Sequence, residues 1–372
     1  MAGTVRILSI DGGGVWGLIP AKVLEALERR VGRPIAELFH MIAGASIGGI
    51  IATCLAAPDG RGAPRMRARE VAAILEERGR EIFAQSFAQQ LISGFGMTEE
   101  MYSARPLETI LREGLGDARL SDCLVDVLIP AYEIELRSPF FFKSWRAQGR
   151  GLGPRERAED FDFSLWEAGR ATSAAPTYFE PFRLPRRGAP AAGERDYWAL
   201  IDGGVIVNDP TMCALAEARS LYPNADEYFV LSLGTGTSMR PIPLRDAESW
   251  GVIHWARPLI SILIDGAASV TEYQVRQVAA GWGESFRYIR LQEHFDKLPD
   301  DATRLSSAFD DASFNNVSNL LIAARELMGA QRKSSSRDPR VDLGALQRER
   351  RARLDEIVAE LARPRTPFAA LR

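Results

Sequence analysis

Three short stretches of this chain carry residues that could do chemistry. Ser46 lies in Gly44-Ala45-Ser46-Ile47-Gly48, the spacing G-x-S-x-G. An apolar run, Phe39, Met41, Ile42 and Ala43, precedes it, and Ile50, Ile51 and Leu55 follow at helical spacing. Strand, sharp turn, helix is the order of a nucleophile elbow. Glycine is needed on both sides because a Cβ there would collide with the neighbouring strand and helix. A helix starting right after Ser46 would aim free N–H groups and a positive dipole end at the reacting oxygen. A serine hydroxyl is a poor nucleophile until a base takes its proton. Asp202 closes the strand-like run Tyr197 to Ile201 and is followed by Gly203-Gly204, which makes it an exposed, pre-oriented carboxylate. The third stretch is Asp11-Gly12-Gly13-Gly14-Val15-Trp16-Gly17, between a β-rich run (Val5 to Ile10) and a helical pattern (Leu18 to Val31). Backbone N–H groups without side chains can approach a developing negative oxygen closely, as an oxyanion hole requires.

Each stretch also has a plainer reading. G-x-S-x-G can be a glycine-rich turn in an α/β core, and Asp202-Gly203 an ordinary turn. The uncharged run from Leu38 to Pro58 is nearly long enough to span a bilayer, and Gly44 and Gly48 fit the G-x-x-x-G pattern of membrane helices. Its central glycines, serine, threonine and histidine dilute that hydrophobicity. Gly12, Gly14 and Gly17 fit G-x-G-x-x-G. A dinucleotide site would also need an acid at the end of the second strand, roughly 20 residues on. Here that strand ends in the serine elbow. A nucleotide-binding module using Gly12 to Gly17 without hydrolysis is the alternative from another class.

The 372 residues allow one large α/β domain or two ordinary ones. A net charge of −3 implies no global pull toward nucleic acid or an anionic membrane. Cys54, Cys123 and Cys213 are far apart and odd in number, so neither a disulfide framework nor metal spacing follows, and no cofactor is called for. The N-terminus lacks the succession of a signal peptide, so a cytoplasmic protein that touches a membrane peripherally is expected.

Strands alternate with helices along the chain, which points to a mainly parallel sheet with helices on both faces. Strand-like runs fall at Val125 to Glu135, Pro139 to Trp145, Glu227 to Leu233 and Tyr288 to Leu291. Helical patterns fall at Val71 to Ile92, Arg105 to Leu115, Met212 to Leu221, Arg257 to Ala280, Phe314 to Met328 and Leu343 to Leu361. In the Arg257 to Ala280 helix, Leu259, Ile262, Leu263, Ala267 and Val270 share one face. Small residues in Ala171 to Phe179 suggest close backbone packing. The histidines are His40, His254 and His294. His40 should lie some way down the sheet from Ser46. A classical triad places its histidine late in the chain, so His254 and His294 stay open on order alone. A Ser–Asp dyad needs neither.

Together, Asp11-Gly12-Gly13-Gly14-x-x-Gly17, Gly44-Ala45-Ser46-Ile47-Gly48, Ala171 to Phe179 and Asp202-Gly203-Gly204 resemble the motifs of the patatin-like phospholipases, in the right order and over roughly Val5 to Gly236. The resemblance implies a three-layer α/β fold and a serine acyl hydrolase with a dyad. Ser46 would be the nucleophile, Asp202 the base, and the N–H groups of Gly12, Gly13 and Gly14 the oxyanion hole, with Asp11, Gly17, Gly44, Gly48, Gly203 and Gly204 in support. An acyl hydrolase domain over 1–330 and a charged helical extension over 331–372 are expected. Two departures stand out. The family loop usually carries Arg or Lys where this chain has Trp16, and often reads Asn-Asn-Pro where this chain has Asn208-Asp209-Pro210.

The expected substrate is the fatty-acyl ester of a membrane glycerophospholipid, reached by peripheral contact at the inner membrane. Candidate contacts are Phe83 to Phe95 and the arginines Arg61 to Arg69. No DNA or RNA partner is expected. The resemblance is closest to bacterial anti-phage effectors switched on by cyclic oligonucleotides. That implies a cyclic di- or trinucleotide activator and a homo-oligomer, with Arg257 to Ala280 and Arg348 to Arg353 as room for a sensor or an assembly surface. An ungated general lipid esterase is the alternative within the same chemistry.

Overall fold

In the computed structural model, residues 3–83, 102–188, 193, 195–237, 242–295, 305–306, 308–330 and 343–372 are described. Most of the stretch Phe83 to Phe95 and all of 331–340 lie outside them.

The strands are β1 (Thr4–Ile10), β2 (Met41–Gly44), β3 (Asp126–Glu133), β4 (Ser138–Lys143), β5 (Phe182–Pro185), β6 (Tyr197–Asp202), β7 (Glu227–Leu233) and β8 (Phe286–Leu291). They form one sheet in the order β5-β6-β3-β2-β1-β7-β8, with β4 paired to β3. Strands β3, β2, β1, β7 and β8 are parallel, with β8 at the edge. Helices α1 (Leu18–Val31), α2 (Ile47–Ala56), α3 (Ala68–Ile82), α4 (Arg105–Leu115), α5 (Leu165–Thr172), α6 (Thr211–Leu221), α7 (Val252–Trp282), α8 (Phe314–Leu327) and α9 (Leu343–Ala362) surround it.

Alternate residues of the inner strands enter two separate cores, as a parallel sheet covered on both faces requires. Leu8, Ile10, Ile42, Phe229 and Leu231 pack with α1, α2, α5 and α8. Val5, Ile7, Met41, Ala43 and Val230 pack with Ala214, Leu215 and Ala218 of α6 and Val275 of α7. The run from Leu38 to Pro58 is thus β2, the elbow and α2, packed into the cores. No helix of the described residues is long and apolar enough to cross a membrane. Helix α9 shares the first core through Leu354, Ile357 and Leu361. It is tied to β1 by the buried Arg6–Glu360 ion pair, 3.0 Å apart.

One feature of the sheet brings the distant motifs together. β3 outlasts β2: Asp126 to Leu128 pair with Met41 to Ala43, and there β2 ends. Further along, Ala131 to Glu133 pair with Asp202 to Leu200 of β6, which runs antiparallel. β4 occupies the other edge of β3 from Leu128 to Glu133. β2 and β6 therefore lie end to end on one edge of β3, with their C-terminal ends facing each other across Pro130. A strand end was expected for both Ser46 and Asp202. The antiparallel course of β6, which aims the two ends at one point, was not.

Candidate active site

Ser46 sits between β2 and α2 with φ 53° and ψ −123°, a conformation that costs on the order of 1–3 kcal/mol for a residue with a side chain. The surroundings hold it there. Its N–H donates to Thr172 Oγ1 at 3.0 Å, and that hydroxyl donates to Pro130 O at 2.6 Å. A Cβ on Gly44 would overlap the Gly48 carbonyl, and one on Gly48 would overlap the Ile10 carbonyl. Both glycines of G-x-S-x-G are required by this close approach.

Asp202 meets Ser46 across the gap between β2 and β6. Ser46 Oγ donates to Asp202 Oδ2 at 2.6 Å, and Gly204 N–H donates to Oδ1 at 2.6 Å. The Asp202 N–H is held by Ala174 O at 2.9 Å. The small-residue segment at the end of α5 thus fixes both partners, through Thr172 and Ala174. No lysine or arginine of the described residues pairs with Asp202. Burial pushes its carboxyl up to about 7, against the two hydrogen bonds that favour the charged form.

The glycine loop lies beside this pair, and one expectation for it is corrected. The Gly12 N–H donates to Asn208 O at 3.1 Å and is not turned to the cavity. The loop after Asp202 folds back over Gly12 so closely that a Cβ there would overlap the Asn208 side chain. Gly13 and Gly14 do line the cavity, and no described acceptor takes their N–H groups. Gly14 has φ 55°, and a Cβ on it would overlap the Phe309 carbonyl. The N–H groups of Val15 and Trp16 are engaged by Phe309 O and Gly13 O. The first turn before α1 is therefore closed to a phosphate, which removes the support for a nucleotide-binding loop. Trp16, in place of a basic residue, is buried against the rings of Phe295 (5.1 Å) and Phe309 (4.6 Å). An aromatic cluster holds the loop where an arginine or lysine was expected.

Sequence reasoning missed the residue that anchors the base of this loop. Arg290, on β8, reaches Asp11 Oδ2 at 2.6 Å, Ser232 Oγ at 2.6 Å and Asp209 Oδ2 at 3.2 Å. Asp209 is the acid that replaces the expected second asparagine, and it also accepts from the Thr211 N–H at 2.9 Å. One buried guanidinium thus joins the loop before α1 to the loop after β6. Burial raises the Asp11 carboxyl, with Arg290 pulling the other way, and the carboxylates hold Arg290 firmly protonated. The short strand-like run Tyr288 to Leu291 contained this arginine, but nothing local marked it.

Ser46 and Asp202 open into a cavity of about 420 Å³ whose lining is largely apolar, including Ile47, Ile50, Ile82, Phe83, Phe179 and Phe309. No histidine lines it. His40 is buried at the opposite end of β2, accepting the Arg6 N–H at Nδ1 (2.9 Å) and facing Thr366 O at Nε2 (2.8 Å). Burial lowers its pKa to about 4, so it is neutral. His254 is exposed on α7, and His294 lies beside Thr237 in an isolated bridge. Among the described residues no group of His, Cys, Asp or Glu is arranged to hold a metal.

Residues 8–215 match the patatin-like phospholipase family. Patatin-like protein 1 of Oryza sativa subsp. indica is 30% identical over 89% of this chain and 82% of its own length. Patatin-like protein 2 of Arabidopsis thaliana is 30% identical over 87% and 83%. The chain belongs to the patatin-like phospholipase family. This patatin-like protein is a lipid acyl hydrolase. A potato protein named a probable inactive patatin is 27% identical over 90% of the chain and 88% of its own length. The arginines of the patatin-like chain that were candidates for sensing or docking are largely engaged. Arg350 pairs with buried Glu293 at 2.8 Å, Arg351 Nε donates to Gly329 O at 2.6 Å, and Arg353 pairs with Glu349 at 2.8 Å. Arg65 donates to Gly114 O, and Arg69 pairs with Glu70. Arg67 and Arg69 flank the start of α3, whose other end, Ile82, lines the cavity. The 15 residues of this helix put its two ends roughly 20 Å apart.

Proposed function

We propose that this protein cleaves fatty-acyl esters of membrane glycerophospholipids through a Ser46–Asp202 dyad, as a phospholipase of the A type. The observation that carries the reading is the 2.6 Å hydrogen bond from Ser46 Oγ to Asp202 Oδ2 inside an apolar cavity. Asp202 accepts the hydroxyl proton as Oγ attacks the acyl carbonyl carbon. The Gly13 and Gly14 N–H groups take the negative oxygen that forms, and the N–H of Ile47, first in α2, adds the helix dipole. Collapse expels the lysolipid oxygen, which takes the proton back from Asp202. Water, deprotonated by the same carboxylate, then hydrolyses the acyl-serine. A carboxyl near neutrality suits this double role, because a general base works best with a pKa close to the working pH.

A fluorophosphonate probe tests the chemistry. Labelling of the unmodified protein, lost in Ser46→Ala, is expected together with fatty-acid release from phospholipid vesicles. A labelled Ser46→Ala protein would place the nucleophile elsewhere. Control by a cyclic di- or trinucleotide in anti-phage defence, and homo-oligomer assembly, are separate proposals resting on the family resemblance. They require a purified protein that is nearly silent alone and active with one such nucleotide. Equal activity across a panel of cyclic nucleotides leaves an ungated esterase.

A further inference from the structure

Helix α7 is 31 residues long, and its two halves have different surroundings. The second half packs on α6 and β8, with Val275 fully buried. The helix also meets the 203–205 turn beside Asp202, and in its first half Ser261 and Ile264 line the cavity that holds Ser46. A helix used this way ordinarily turns its apolar stripe to the core. Here the stripe points outward. Trp255, Leu259, Ile262, Leu263, Val270 and Tyr273 are all exposed, Leu263 and Val270 at 55% and Tyr273 at 65%. Their spacing of four, three, one, seven and three residues keeps them on one side of the helix, opposite Ile264.

We infer that this outer face of α7 is the surface by which the enzyme docks on a zwitterionic lipid bilayer, an inference that rests on the phospholipase reading above. Three observations choose a bilayer. First, among the described exposed side chains from Trp255 to Tyr273, the one charged group is Asp265, which by helical spacing lies off the stripe. A face of this kind fits a surface without net charge better than an anionic one. Second, the stripe is aliphatic in the middle and aromatic at both ends. Trp255 packs edge-on against Trp250 at 5.1 Å at one end, and Tyr273 stands at the other. Rings with one apolar and one polar side favour the two borders of a membrane contact. Third, the same helix walls the cavity on its inner side. Seating its outer side in the lipid places the wall of the cavity that holds the reacting pair one helix thickness, about 10 Å, from the bilayer. The arginines near the start of α3 offer no such continuity.

The test separates docking from chemistry. Ser46→Ala protein is mixed with phosphatidylcholine vesicles and sedimented, with and without Leu259→Gln, Ile262→Gln and Leu263→Gln together. The three changes are expected to weaken partitioning at least tenfold. Binding of the Ser46→Ala parent should be unchanged by 0.5 M salt, because the contact is apolar. In the active background the same three changes should lower hydrolysis of vesicles by the same factor. Hydrolysis of a monomeric short-chain ester should stay within twofold. Unchanged partitioning overturns the inference. So does a dimer that the three changes dissociate while vesicle binding stays the same, which would give the face to a second copy of this chain. Should the triple variant fail to fold by circular dichroism, Val270→Gln alone decides, with a two- to threefold loss expected and no loss counting against. If the unmodified protein cleaves neither ester nor vesicle yet partitioning still depends on the face, docking stands and the phospholipase reading falls.

Discussion

Two buried aspartates sit at the top of this sheet, and they are treated in opposite ways. Asp11 and Asp202 are 1% and 4% exposed, and burial raises both carboxyls. Asp11 is met by the Arg290 guanidinium at 2.6 and 3.2 Å. Asp202 has only hydrogen bonds, from Ser46 and Gly204. A buried carboxylate without a cation is costly to ionise, so at Asp202 the fold keeps a proton acceptor that ordinary packing would neutralise or remove. Of these two similar acids, Asp11 has its counter-ion, as a scaffold acid would, and Asp202 has none, as the proposed base requires.

Asp202→Asn removes the acid that has no counter-ion. Turnover on phospholipid vesicles should fall on the order of 10⁴-fold, while the melting temperature at pH 8 should be equal or higher. The folded carboxyl holds its proton more tightly than the unfolded one. Its contribution to stability is therefore full at low pH and is lost as pH rises from about 4 through about 7, a difference of a few kcal/mol at pH 8. Asparagine escapes that loss. A variant that keeps most of its turnover, or that melts well below the parent at pH 8, refutes the distinction. Arg290→Met probes the other acid. It leaves Asp11 and Asp209 buried without their cation and should cost about 3–5 kcal/mol in urea unfolding. A loss below 1 kcal/mol would mean that the pair is not what secures the loop. The mildest effect is that of pH on the intact enzyme. kcat/KM should fall tenfold per pH unit below about 7, as Asp202 takes up a proton, and level off above. A flat profile from pH 5.5 to 8.5 would show that the carboxylate is not the base.

The parts of the site that depend on neighbouring residues were legible in the sequence. Gly44-Ala45-Ser46-Ile47-Gly48 announces its own turn, because only glycines tolerate the contacts on both sides, and Asp202-Gly203-Gly204 announces a strand end. Alternation of strand and helix gave the three layers. What was not legible depends on partners far along the chain. The direction of β6 follows from its register on β3, which no local pattern encodes. The Gly12 N–H looked available until Asn208 O came to lie against it. Trp16 looked like a lost cation, since Phe295 and Phe309, which receive it, are nearly 300 residues away. The α7 stripe was visible as a face, but periodicity says only that residues share a side, not whether that side meets a core or solvent.

The end-to-end seating of β2 and β6 on β3 has a consequence for how the enzyme is made. Ser46 and Asp202 are 156 positions apart. At roughly 5–20 residues per second, a ribosome adds the second some 8–30 s after the first. Through that interval the elbow can fold, but its serine has no base. A chain that stops early, or is cut before β6, carries a nucleophile that stays inert. On the dyad proposed above, reactivity toward lipid would appear only once β3 has received a strand at each end of one edge, and completeness of the fold would itself be a safeguard for the membranes around the nascent protein.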